Sequence, residues 1–96
     1  MRRSNVQNLG QVVSEMLKEF KIDHKLKEVG IVNAWEEVLG ANISRVTSRI
    51  FVKNRILFVH LTSPVVRNEL MMMRSNIVKA LNENVGASVI DDIVLR

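Results

Sequence analysis

The spacing of apolar residues changes along this chain and marks out its elements. Leu9, Val13, Met16 and Phe20, with Val12 and Leu17 beside them, recur at the three- and four-residue steps of one helix face. Ser4-Asn5-Val6-Gln7 in front of them has the form of a capping box, so a first helix is expected from residue 4 through residue 21. Asp23 suits the N-cap of a second helix, whose apolar face is expected to carry Leu26, Val29, Val32, Trp35 and Val38, joined by Ile31 and Leu39. Gly30 stands where it could divide this helix, and Gly40 suits the left-handed position after its end. A single Trp on an apolar helix face reads as a core anchor rather than a base-stacking residue.

The period then shortens to two. Two strands are expected, Val46 to Lys53 and Ile56 to Thr62, joined near Asn54 and Arg55. Alternation puts Leu57, Val59 and Leu61 on one face of the second strand and Ile56, Phe58 and His60 on the other. In the first strand Val46, Ser48, Ile50 and Val52 oppose Arg49, Phe51 and Lys53. With the aliphatic sets against the helices, Phe51, Phe58 and His60 share the opposite face with Arg49 and Lys53. Such a surface can stack bases between cations or meet another protein chain. Ser63 and Pro64 open a third helix, expected to run unbroken to Gly86 with Val66, Leu70, Met73, Ile77 and Leu81 on its core side and Met71 and Met72 off it. Val89 to Leu95 reads as a last strand. The order helix-helix-strand-strand-helix-strand describes a single α+β domain over residues 1–96, a small sheet braced by helices.

Charge sharpens this picture. Residues 45 to 82 hold Arg45, Arg49, Lys53, Arg55, Arg67, Arg74 and Lys79 against Glu69 alone, a net +6 in a chain of net +4. Concentrated positive charge attracts phosphate through a sequence-independent, salt-sensitive term, so these seven residues are the expected nucleic-acid contacts. The alternative is a solvated face that keeps the protein in solution. An apolar content of 47% with 25% charged residues is that of a globular domain. No Cys is present, which excludes thiol chemistry and fits a reducing, cytoplasmic setting. No secretion signal and no membrane span are read, so no membrane partner is expected.

Enzyme signatures are missing. Asp91 and Asp92 are neighbours on an expected strand and point to opposite faces, and Glu36 and Glu37 read as a solvated helix face. No nucleophile elbow or phosphate-binding glycine loop occurs among the four Gly. His60 and His24 are the only His and have no ligand-spaced neighbours, so neither metal nor cofactor is expected.

The order of several segments resembles a known family. They are Met1-Arg2-Arg3-Ser4-Asn5, Trp35 with Gly40 five residues on, Leu57-Phe58-Val59-His60-Leu61, Ser63-Pro64-Val65-Val66-Arg67-Asn68-Glu69-Leu70, Leu81-Asn82-Glu83 and Val89-Ile90-Asp91-Asp92-Ile93-Val94-Leu95-Arg96. Together they are similar to the DciA-type proteins, once a domain of unknown function and later connected with loading of the bacterial replicative helicase, most closely in their short Bacteroidetes-like versions. The resemblance implies a KH-like domain, binding to DNA, single-stranded in the first instance, or to RNA, and contact with a DnaB-type helicase. A KH clamp uses a Gly-x-x-Gly loop, absent here, so nucleic-acid contact is expected through side chains. Longer members carry a disordered extension beyond the core domain, which this chain is expected to lack after Arg96. The competing expectation is a protein-interaction adaptor or homodimer, with Phe51, Phe58 and His60 as the partner surface.

Overall fold

The computed structural model describes residues 22–96, so the helix expected over residues 4–21 lies outside the described residues. Helix α1 covers residues 22–39 without a break. Asp23 is therefore inside the helix, where its carboxylate meets Lys27 Nζ one turn on at 3.0 Å, and is not its cap. Gly30 does not divide the helix either; it faces Val85, where a Cβ would make only an ordinary contact at 3.5 Å. The buried face is Ile31, Ala34 and Trp35, while Leu26 is 64% and Val29 50% exposed. The expected three-residue stripe fails for a geometric reason: each such step lags a full turn by about 60°, so its first and last members cannot share a face.

A short helix, α2 (Ala41–Arg45), leads into β1 (Thr47–Lys53) and β2 (Ile56–Leu61). Gly40 between the helices has φ 95° and ψ 164°. This is extended backbone of positive φ, open essentially to Gly alone, and not the left-handed helical conformation expected there. The strands join through a two-residue turn in which Asn54 (φ 52°) and Arg55 (φ 63°) are both left-handed, the signature of the tight hairpin turn whose twist matches the strands.

Ser63 caps α3 (Pro64–Met71) as expected, its Oγ accepting from the Val66 N–H at 3.3 Å. The single long helix expected beyond it is in fact two, because the chain turns at Met72 and Met73 before α4 (Arg74–Val85). Leu70, Ile77 and Leu81 are buried from the two separate helices, while Met73, expected in the core, is 43% exposed. Neither Gly nor Pro marks this corner. It is dictated by packing, which must aim both helices at one sheet. Gly86 ends α4 in the left-handed conformation, φ 81° and ψ 22°.

The last strand, β3 (Asp92–Leu95), is shorter than expected. Val89 and Ile90 are buried at 1% exposure but lie outside the sheet. Three of their four backbone polar groups are met by one side chain: Asn82 Oδ1 accepts from the N–H of Val89 (3.0 Å) and of Ile90 (3.1 Å), and Asn82 Nδ2 donates to the Ile90 carbonyl (2.8 Å). In the three-stranded sheet β2 is central, antiparallel to β1 and parallel to β3, the parallel connection passing through α3 and α4.

All the described helices contribute to one core beneath the sheet. Leu57, Val59 and Ile93 are wholly buried with Ile31, Trp35 and Leu81, and Ile50, Val52, Leu61 and Leu95 pack against them. The inward and outward sets read from the alternation are those observed from Arg49 onward, whereas Ser48, expected inward, is exposed. A bulge at Ser48 refines the pattern: Thr47 pairs with Leu61 and Arg49 with His60, so two steps on β1 match one on β2. The bulge turns Thr47 toward the core side, where Trp35 Nε1 donates to its Oγ1 at 3.0 Å and that hydroxyl donates to the Ile43 carbonyl at 2.8 Å.

Trp35, 2% exposed, is a structural anchor, and Trp35→Ala should lower unfolding free energy by about 3 to 5 kcal/mol in a denaturant titration. Asn82→Ala leaves two buried N–H groups without an acceptor and should cost about 2 kcal/mol, although Asn82 touches no face proposed to bind anything. A parental denaturation midpoint for either variant would contradict the packing described.

Candidate nucleic-acid interface

The outer face of the sheet is built by three strands in register. Phe51 stands opposite Phe58, Arg49 opposite His60, and Phe58 beside Val94. Cross-strand neighbours on one face bring side chains within contact distance. The Phe51 and Phe58 rings are stacked with centroids 5.0 Å apart and an interplanar angle of 12°, and the His60 ring follows at 6.3 Å from Phe51 and 27°. None of the three belongs to the apolar core and each is half-buried, Phe51 bordering a pocket with Lys25, Glu28, Val29 and Val32 of α1.

Cations flank the rings. The Arg49 guanidinium lies 5.0 Å from the Phe51 centroid and that of Arg96 lies 5.4 Å from the Phe58 centroid. Arg96 was not legible in the sequence, because its place depends on the parallel β2–β3 register. Its backbone extends that pairing: the Arg96 N–H donates to Val59 O at 2.9 Å, and its carbonyl accepts from the Leu61 N–H at 2.7 Å. Lys53, exposed at the end of β1, completes the face.

The remaining expected cations divide by role. Arg55 makes a bidentate contact with Asp91 (Nε to Oδ2 2.9 Å, Nη2 to Oδ1 2.8 Å) and also donates to the Ser88 carbonyl at 3.1 Å. Arg74 donates to both oxygens of Asp92 at 2.8 Å. These two guanidiniums clasp the segment that carries β3, so their charge is compensated. Arg45 ends α2, Arg67 lies on α3 and Lys79 on α4, elements distinct from the ring-bearing strands. The seven cations that are contiguous in charge along the sequence are thus spread over β1, the hairpin turn and three helices.

The clasps also set carboxyl acidity. The hydrogen bonds from Arg55 hold the Asp91 carboxyl below its ordinary value of 3.8. For Asp92 the larger cause is the hydrogen bond from the Ile93 N–H, with Arg74 second. A carboxyl depressed on folding adds stability that is complete above its ordinary value and is lost as pH falls through the lower, folded-state value. The parental Tm should therefore drop more between neutral pH and about pH 2 than that of Asp91→Asn/Asp92→Asn, which should start lower at neutral pH. Parallel acid limbs for the two proteins would show that the clasps hold nothing.

Among the described residues no group of His, Cys, Asp or Glu could hold a metal ion, and no helix is long and apolar enough to cross a membrane. The described chain is thus a small α+β sheet module whose outer face joins stacked rings to arginine and lysine. Residues 8–95 match the family model described as "Dna[CI] antecedent, DciA", and the chain belongs to the DciA family. It is similar to a UPF0232 protein of Corynebacterium glutamicum (strain R), 25% identical over 87 residues that cover 91% of this chain and 49% of that protein. The chain thus spans about half the length of that curated relative. No solved structure matches it.

Proposed function

We propose that this protein is a non-enzymatic nucleic-acid-binding accessory of DNA replication, and that it contacts a replicative helicase of the DnaB type. Family membership supports the replication setting. The nucleic-acid reading is carried by the outer sheet face, where Arg49, Lys53 and Arg96 surround a ring platform and where neither β1 nor β2 contains an acid. The fold is read as KH-like, two adjacent parallel strands linked through a helix pair, with a third strand antiparallel to them. Met71-Met72-Met73-Arg74 joins the two helices and contains no Gly, so the backbone clamp of KH domains gives way to side-chain contacts on the sheet.

A second surface supports the protein partner. Met71, Met72 and Met73 are 48%, 81% and 43% exposed, and they line a groove of about 400 Å³ with Arg74, Ser75, Asn76 and Asp92. Flexible thioethers adapt to apolar partners, which suits this corner to the helicase contact.

Salt-series titrations of a DNA strand test the reading. Arg49→Gln/Lys53→Gln should weaken binding and lower the salt slope by about 1.5, two phosphate contacts' worth. Arg55→Gln should leave the slope unchanged and lower Tm, because its charge is already committed to Asp91. A parent that does not bind, or a slope that falls with Arg55 and not with Arg49 and Lys53, would refute the assignment.

A further inference from the structure

We infer that the free edge of β1, with the groove beside it, docks an extended segment of a partner protein in which acidic and aliphatic residues alternate. The segment joins the sheet as a fourth strand. This goes beyond the nucleic-acid reading and does not rest on it. Among the described residues β1 has one strand neighbour, β2, so the backbone groups along its other side are a template for a further strand.

The groove lies on that edge and not on either face of the sheet. It has a volume of about 260 Å³ and takes its walls from Val29 and Val32 of α1 and from three consecutive residues of β1, Ile50, Phe51 and Val52. Successive strand residues point to opposite faces, so a space that touches all three runs alongside the strand. Val29 is 50% exposed and Leu26, one turn before it, 64%, which leaves apolar surface of α1 open here. The volume is below the roughly 300 Å³ at which pockets begin to enclose a small ligand, and it suits single side chains arriving from an extended backbone. The opposite edge, β3, is only four residues long, and the space beside it is about 160 Å³.

Register then dictates the chemistry of the incoming strand. Side chains that fall beside Ile50 and Val52 enter the groove and are aliphatic. Those that fall beside Arg49, Phe51 and Lys53 meet two exposed cations in a strand without an acid. Lys25 adds a third cation at the α1 wall, and the acid there, Glu28, lies 3.7 Å from His24 Nε2. The bulge at Ser48 interrupts regular pairing, so the added strand matches residues 49–53. A second copy of β1 is a poor occupant, because self-pairing would set two copies of Arg49 and Lys53 in one short ladder. Acids at the same places turn that repulsion into attraction.

The test is fluorescence anisotropy on the full chain with a labelled peptide, Glu-Val-Glu-Val-Glu-Val-Glu. It should bind, and a Lys-Val alternation of equal length should not. A peptide of the same composition with its acids clustered at one end should bind roughly tenfold more weakly, since no register serves both faces. Val29→Glu, on exposed helix surface, should keep the parental Tm and weaken the alternating peptide at least roughly tenfold. Val29→Ile should retain binding. Saturating peptide should slow hydrogen exchange at alternate amides of residues 49–53, those not already bonded to β2. Absence of binding, equal affinity for the clustered peptide, or bound peptide with β1 exchange unchanged would overturn strand addition. Edge amides already protected in the free protein would overturn it too, and a dimer in sedimentation would then assign the edge to a second copy.

Discussion

The structure depends on the alternation of β2. Leu57 and Val59 have no exposed surface, and burying two such aliphatic side chains contributes on the order of 4 kcal/mol before entropy is counted. A strand with period two cannot bury them without sending Phe58 and His60 the other way. As the central strand, β2 imposes this choice on both neighbours: Phe51 is opposite Phe58 on β1 and Val94 is beside it on β3. The ring platform is thus a by-product of core formation, and a one-residue slip would send the rings into the core and the aliphatics into water. The Ser48 bulge reconciles the one conflict, letting Thr47 serve Trp35 on the inside while Arg49 stays outside.

The basic residues divide into two kinds of work. Arg55 and Arg74 each hold an aspartate at the start of the last strand, and Arg55 does so from a backbone conformation that a non-Gly residue seldom adopts. Together with the Asp91 N–H donating to the Arg55 carbonyl at 2.7 Å, these contacts tie the hairpin turn to the chain that enters β3. The register of β3 then carries Arg96 to Phe58. Two arginines committed to carboxylates thereby position a third at the ring platform. Exposed pairs of this type are individually weak, and their value here is geometric.

Much of the fold was legible because the local signals were strong. Period two marked both hairpin strands within a residue of their ends and the inward and outward sets from Arg49 onward, while the bulge put Ser48 outside against expectation and Ser63-Pro64 marked the start of α3. What failed was tertiary in origin. The corner at Met72 and Met73 has no breaker residue, and it exists because α3 and α4 must both face one sheet. Leu26 and Val29 look like core positions until the 3.6-residue period rotates them away from Ile31 and Trp35. Val89 and Ile90 are as apolar as strand residues, but Asn82 takes their backbone groups and β3 starts later. For the candidate site, Phe51, Phe58, His60, Arg49 and Lys53 could be grouped from alternation alone. Arg96, and the commitment of Arg55 and Arg74 to carboxylates, required long-range register that no spacing along the chain encodes.

The central claim is that nucleic acid is met by the outer sheet face and not by the helical corner. Backbone amide spectra recorded while a short DNA strand is titrated into the labelled protein test it directly. The account predicts the largest shifts at Arg49, Phe51, Phe58 and Arg96, with Met72 and Met73 undisturbed. Shifts centred on the corner between α3 and α4, with the strand amides of β1 and β2 unmoved, would contradict it.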